Sequence, residues 1–365
     1  MSKYKVYVYA ICKNESKHIK RWVNSMKEAD GIYVLDTGST DDSVKLLASL
    51  GVNVTVKNYE KFKFDEARNE SLALVPDDVD ICVCTDIDEV LSEGWRNELE
   101  SIWTKDTDRV RYNLYFTFDE IGNPLSSYYI SKIHKKDKYT WTHPIHEVLG
   151  YVGTSKENII TTEAITISHI PDRSKDRSFY LNLLEEAVLE NPEDDRNMHY
   201  LGREYMYNCD WNNSIDTLIK HLYLKSSTWK EERAASMRFI SRGYIGLKRF
   251  DEAEMWLKKA IDETPYLREP YIELGALYYQ LKQYEKGIEF LEKGINIKDK
   301  SPEYINEEFA WNETPYDILS LCYYYTNQYS KSLETIEKAV SINSKNERLL
   351  NNYKLIKERN NNIEN

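Results

Sequence analysis

Long apolar runs are missing from this sequence. No segment holds 18 consecutive apolar residues, so nothing in it reads as a membrane span. The opening stretch, MSKYKVYVYAICKNE, alternates like a strand and lacks the apolar core and cleavage site of a secretory signal. Cysteine is scarce. The five residues, Cys12, Cys82, Cys84, Cys209 and Cys322, are odd in number and contain no Cys-x-x-Cys pair. That pattern argues against a disulfide framework and against thiolate-bound zinc, and predicts small buried residues in a reducing cytoplasm. Positive charge is in deficit: 49 Lys and Arg face 61 Asp and Glu, a net charge of −12. Nucleic acid and anionic membrane surfaces are therefore excluded as main partners. What is present is enough chain for two domains, 365 residues with 41% apolar content to supply their cores.

The first half alternates strands and helices. Residues 4–12 read as a strand. Ser16 is placed to cap a helix through Met26, with Ile19, Trp22, Val23 and Met26 on one face. A second strand, Ile32–Leu35, runs into Asp36-Thr37-Gly38-Ser39-Thr40-Asp41-Asp42, where Thr40 is placed to cap the next helix. A strand at 52–56, a helix from Phe64 to Val75 and a strand at 81–85 follow. This order predicts a parallel, Rossmann-like α/β sheet. Residues 109–118, 128–134, 139–141 and 164–169 read as further strands, expected to form a smaller mixed sheet over the crevice.

After Pro171 the pattern is helical and repeats. Met237, Ile240, Ser241, Tyr244, Ala253, Leu257, Ala260 and Pro265 match Tyr271, Leu274, Gly275, Tyr278, Gly287, Leu291, Gly294 and Asp299 at a constant offset of 34. A third copy begins near Tyr316 and a degenerate first copy near Met198. The spacing is that of tetratricopeptide repeats (TPR). Insertions near Ser226–Lys230 and Ser301–Trp311 break the period. The second carries Tyr304, Phe309 and Trp311 among carboxylates, which suits a peptide, a basic protein segment, a homodimer contact or an extra packing helix.

The residues with chemistry to offer lie in the first half. Ile81-Cys82-Val83-Cys84 runs straight into Thr85-Asp86-Ile87-Asp88-Glu89. Such a run reads as a buried parallel strand whose carboxyl end opens on a ligand crevice. On an extended backbone Asp86 and Asp88 point to one side, an arrangement that calls for a hard cation, Mg²⁺ or Mn²⁺. Asp36 ends the second strand, where a carboxylate can take a uracil N3–H or a ribose hydroxyl. A lone Asp-Thr-Gly is not an aspartic protease, which needs two such loops. Arg68 precedes the acidic strand and can reach phosphate or the strand end; an i, i+3 pair with Asp65 is its ordinary alternative. His146 and Glu147 offer a base, and His169 an imidazole suited to Mn²⁺. Arg173, Lys175 and Arg177 can fold over a diphosphate. The basic stretch Lys132–Lys138 reads as a solvated hairpin, with a binding surface as the alternative. Asp86-Ile87-Asp88-Glu89-Val90 also matches the nucleophile motif of haloacid-dehalogenase-type phosphatases, which serves as a rival reading.

Taken together, Lys13-Asn14-Glu15, Asp36–Asp42, Ala67-Arg68-Asn69, Thr85–Glu89 and Ile145-His146-Glu147 resemble family-2 inverting glycosyltransferases with the GT-A fold, over about residues 4–172. The added TPR-like helices look like the subgroup that includes bacteriocin peptide S-glycosyltransferases. The resemblance implies a GT-A domain at 1–172 and an all-α TPR superhelix at 173–365. It implies a UDP-sugar donor, Mn²⁺ or Mg²⁺, and an acceptor that includes peptide or protein side chains. Asp36 would read the uracil, and Asp86 would hold ribose or metal-bound water. Ile11, Glu15, Arg68, Ile87, Lys175 and Arg177 would line the nucleotide site. Asp88 and His169 would ligate the metal. Glu147 would be the base, with His146 its competitor. A non-catalytic TPR scaffold is the reading from another class.

Overall fold

The computed structural model describes residues 3–118, 122–172, 179–301 and 303–364. The chain divides into two compact units, Met1–Ala187 and Val188–Asn365.

The first unit is built on β1 (Val6–Cys12), whose alternating and apolar residues are mostly buried. The chain continues through α1 (Ser16–Met26), β2 (Gly31–Asp36), α2 (Ser43–Ser49), β3 (Asn53–Val56), α3 (Phe64–Ala73) and β4 (Ile81–Cys84). The strands β1–β4 are parallel, in the order β3-β2-β1-β4. All four residues of β4 are buried, as its unbroken apolar run requires. Then come β5 (Glu89–Leu91), α4 (Trp95–Ile102), β6 (Arg109–Phe118), β7 (Pro124–His134), β8 (Tyr139–Thr142), β9 (Val148–Tyr151), β10 (Ile159–His169) and α5 (Phe179–Glu190).

Two local expectations change. The later strands do not make a separate sheet over the crevice. β7 pairs antiparallel with β4, and β6, β10 and β5 extend the same sheet to eight strands. The reason lies in the alternation of β6 and β7: Val110, Tyr112, Leu114 and Ile133 join the core cluster of Val6, Val8 and Val83. Among the described residues, β8 and β9 form a second, two-stranded sheet. Nor do Ser16 and Thr40 cap helices. Ser16 is the first helical residue, and α2 starts after Asp42 without a side-chain cap. The two loops hold each other instead. Asn14 Oδ1 accepts from Thr40 N at 2.8 Å, Ser43 Oγ from Glu15 N at 2.8 Å, and Asp41 from Ser16 N at 3.1 Å.

The second unit is a series of helical hairpins: α6 (Asp195–Tyr207) with α7 (Trp211–Tyr223), α8 (Lys230–Gly246) with α9 (Phe250–Glu263), α10 (Glu269–Gln280) with α11 (Tyr284–Asn296), and α12 (Thr314–Tyr325) with α13 (Tyr329–Ile342). A last helix, α14 (Glu347–Glu364), packs on α13 through Ile336, Ala339, Leu349 and Ile356. The small residues of the repeat let paired helices touch. A Cβ on Gly275 would lie 2.5 Å from Leu291, and one on Gly202 2.4 Å from Leu218. Where serine stands at the small positions, its hydroxyl bonds a backbone carbonyl across the hairpin, as Ser214 does to Gly202 and Ser332 to Ser320.

The insertion before α12 packs inward. Tyr304 donates to Glu232 at 2.7 Å and stacks on Tyr200. Trp311 donates to Glu269 at 2.8 Å, and Glu307 pairs with Arg242. Its aromatics and carboxylates thus serve internal contacts, the packing role among those anticipated for it.

Candidate active site

One face of the sheet carries Tyr9, Cys82, Cys84 and His134, packed against Leu72 of α3 and against Tyr139, Trp141 and Leu149 of the β8–β9 ribbon. Asn69 ties helix to ribbon: its Nδ2 donates to the Trp141 carbonyl, and its Oδ1 accepts from Trp141 N, both at 2.8 Å. The Ala67-Arg68-Asn69 motif therefore does two jobs. Asn69 fixes the ribbon, and the ribbon's loop presents Glu147 to Arg68.

Arg68 is the hub. It is buried, with its guanidinium over the Trp141 ring at 5.4 Å. Its Nε donates to Glu147 Oε1 at 2.9 Å, and its Nη2 to Asp86 Oδ1. The anticipated surface pair with Asp65 is not its role. Two fixed donors on one planar group hold residues from the β4–β5 turn and the β8–β9 loop in one geometry. Glu147 Oε2 takes no hydrogen bond from the described residues.

Asp86 is clamped from its other side. Lys132 Nζ donates to Asp86 Oδ2 at 2.8 Å and to Glu89 Oε1 at 3.1 Å. Glu89 in turn accepts from Asp86 N at 2.8 Å. Burial works against the Asp86 charge, but Arg68 and Lys132 outweigh it and hold the carboxyl well below its ordinary range. Burial, assisted by Asp86, pushes Glu89 upward instead. Lys132 is a residue that sequence reasoning missed. It alternates with Ile133 and so faces the site, whereas Lys135 and Lys138 pair with Asp108 and Lys136 with Asp77, as a solvated hairpin would.

Asp86 and Asp88 do not share a side. Strand β4 ends at Cys84, and residues 86–88 turn into β5, which runs antiparallel to β10. The turn sends Asp88 to His169, with Oδ2 and Nε2 3.3 Å apart. His169 lies flat on Phe116 at 5.1 Å, and its Nδ1 is buried without a partner. A carboxylate oxygen and an imidazole nitrogen at this spacing are slightly long for a hydrogen bond and suit two ligands of one ion. These residues would fit a divalent metal, with further oxygen ligands left to complete it.

The other anticipated residues fall as follows. Asp36 is fully buried; Oδ1 accepts from Gly38 N and Ser39 N at 3.0 and 2.7 Å, and Oδ2 from Ser39 Oγ at 2.5 Å. Gly38 has φ +100°, and a Cβ there would meet Asn58, so the turn requires glycine. Ile11 is half-buried beside Leu35 on β1, and Ile87 is buried in the core. Glu15 starts α1. His146 has a left-handed backbone, φ +54°, and stacks on Tyr180 at 6.2 Å. Lys175 and Arg177, with Arg173, lie outside the described residues. The phosphatase reading fails, because both Asp86 oxygens are engaged by cations rather than presented as a nucleophile.

Behind the site runs a hydrogen-bond chain. Trp141 Nε1 donates to Tyr9 Oη at 2.8 Å. His134 Nδ1 lies 2.7 Å from the Lys135 carbonyl, so this nitrogen carries the proton and Nε2, 2.8 Å from Tyr9 Oη, accepts. Burial lowers the His134 pKa to about 4. The folded state therefore resists a proton that the unfolded chain takes near 6.5. Stability from this group is complete above pH 6.5 and declines as pH falls toward 4, by up to about 3 kcal/mol. Urea unfolding at pH 7 and pH 4.5 is expected to show this loss in the native protein and a smaller one in His134→Gln. An equal loss in both would remove His134 as the source.

Sequence comparison agrees with the geometry. The model of glycosyl transferase family 2 matches residues 7–154, and that of the tetratricopeptide repeat matches 269–301 and 315–346. Uncharacterized glycosyltransferase RT0209 of Rickettsia typhi is 23% identical over 257 residues, covering 70% of this chain and 76% of that protein. Uncharacterized glycosyltransferase RP128 of Rickettsia prowazekii is 36% identical over 101 residues, 27% of this chain and 33% of that protein. The SPbeta prophage-derived glycosyltransferase SunS of Bacillus subtilis is 25% identical over 273 residues, 70% of this chain and 62% of that protein. The chain thus spans a third of RP128 and less than two thirds of SunS. No helix among the described residues is long and apolar enough to cross a membrane. With its acidic turn, its Arg68 hub and these matches, the chain carries a glycosyl transferase family 2 domain over residues 7–154, similar to proteins named as glycosyltransferases, and tetratricopeptide repeats in its second half.

Proposed function

We propose that the chain is a metal-dependent inverting glycosyltransferase that moves a sugar from a UDP-sugar to a peptide or protein side chain. The observation that carries this reading is the Arg68 bridge, which ties Asp86 at the acidic turn to Glu147 on the ribbon, beside the Asp88–His169 pair. Asp88 and His169 would hold the ion, Mn²⁺ or Mg²⁺. When bound, it offsets the negative charge that grows on the leaving diphosphate. Asp86, fixed by Arg68 and Lys132, orients the ribose. Asp36 shapes the loop that receives the uracil, with Ile11 and Glu15 lining the nucleotide, Ile87 packed in the core instead, and Lys175 and Arg177 supplying charge to the diphosphate. Glu147 removes the acceptor's proton through Oε2, since Oε1 serves Arg68. His146 is the second candidate, as the neighbouring group of the same loop. A single displacement with the base opposite the leaving group inverts the anomeric centre.

Residues 1–172 carry the chemistry in this reading, and residues 173–365 select a polypeptide acceptor or bring two copies together. The TPR match supports a protein-binding role for that half, and the lack of a membrane-length helix among the described residues is compatible with work in the cytoplasm.

Asp88→Asn keeps the size of the side chain and removes the charge. The variant is expected to lose metal-stimulated UDP release by at least about a hundredfold while unfolding at an unchanged denaturant midpoint. Native turnover by Asp88→Asn would remove Asp88 from the metal site. A native chain that releases no UDP with either ion would favour the scaffold reading.

A further inference from the structure

The second unit holds a cluster that sugar transfer leaves unexplained. His199 on α6, His221 on α7 and Glu232 on α8 bring one ligand atom each to within 4.8 Å of one another. All three are buried, at 1%, 0% and 5% exposure. We propose that these three side chains form a site for one divalent transition ion of the zinc class, built into the first two helical hairpins.

Two features of the cluster support this. First, one hydroxyl serves both rings. Ser236 Oγ lies 2.7 Å from His199 Nδ1 and 3.0 Å from His221 Nδ1. Its oxygen has two lone pairs and can accept both N–H groups, which fixes both tautomers and leaves the Nε2 atoms as free bases. A hydrogen bond at the far nitrogen is the support that metal-bound histidines ordinarily have. Second, His221 Nε2 and Glu232 Oε1 stand 3.5 Å apart. That is long for a hydrogen bond, whose N···O distance is 2.7–3.2 Å. Two ligands at about 2.0–2.1 Å from a tetrahedral ion lie about 3.3 Å from each other.

The remaining contacts finish the site. Tyr304 donates to Glu232 Oε2 at 2.7 Å and leaves Oε1 for the ion. Ser227 Oγ, 3.1 Å from His221 Nε2, stands where a fourth ligand or its bridging water belongs. The ion would join three helices and, through Glu232 and Tyr304, the inward-packed insertion. It would act as a structural tie, since every donor is closed from solvent.

The test uses the full-length chain, purified without chelator, and reads metal rather than catalysis. Elemental analysis is expected to find one zinc per chain, retained in Asp88→Asn and lost in His221→Gln and Glu232→Gln. These replacements keep the polar contacts, and circular dichroism checks that they fold. After chelation, Co²⁺ should restore a visible d–d absorption in the native chain, with affinity at least about tenfold weaker in His199→Gln. A native chain with no zinc and no cobalt spectrum would overturn the proposal and leave a hydrogen-bond network. Metal that persists in His221→Gln and Glu232→Gln would overturn it equally, and loss in Asp88→Asn alone would assign the ion to the first unit.

Discussion

Arg68→Met is expected to abolish sugar transfer and to destabilise the first unit by about 3 kcal/mol. The estimate follows from removing one partner of a buried ion pair, which costs about 3–5 kcal/mol because the charges left behind stay unpaired. The lower end applies here, since the Asp86 side chain is 34% exposed and Lys132 still neutralises one of its oxygens. Arg68→Lys separates charge from shape. An ammonium restores a positive charge beside Asp86 but cannot donate along two fixed directions to Asp86 and Glu147 together. It should recover much of the denaturant midpoint and little of the turnover. If Arg68→Lys turned over like the native chain, the bridge would be an electrostatic filler and not the element that orders the site.

Glu147→Gln should have the larger effect on rate alone. The amide oxygen can still accept from Arg68 Nε, so the loop geometry is preserved. The variant has no base to offer at the second position, and a general base ordinarily contributes about 10²–10⁴ in rate. A loss of that size in kcat, with UDP affinity unchanged by calorimetry, is the expected result. His146→Ala is the control, because His146 shares the loop but stacks on Tyr180 rather than bonding Arg68. A full loss in His146→Ala with an active Glu147→Gln would exchange the two roles.

The sequence made some of this structure legible and hid the rest for physical reasons. The parallel half was readable because β4 is buried on both faces and so reads as an unbroken apolar run ending in carboxylates. The repeats were readable because Gly275 and its equivalents must be small for helix contact, a constraint that returns after 34 residues from Ser241 to Gly275. The join between β4 and β7 was not readable, since strand pairing across about 50 residues leaves no local trace. The divergence of Asp86 and Asp88 was missed because the backbone turns there, drawn back by Glu89 onto the Asp86 amide. Lys132 was hidden among four other basic groups, and only its alternation with Ile133 marked it as facing inward. The inward course of residues 303–311 depends on Glu232, Glu269 and Arg242, all far away in sequence.

The central claim is that this site breaks the bond between a sugar and a nucleoside diphosphate. The measurement closest to it is nucleoside diphosphate release by the full-length chain across UDP- and GDP-sugars, with Mn²⁺, with Mg²⁺ and with chelator. The account predicts release from a UDP-sugar that requires a divalent ion and disappears in Arg68→Met and Asp88→Asn. Release that is unchanged in both variants, or none from any donor with either ion, would contradict it.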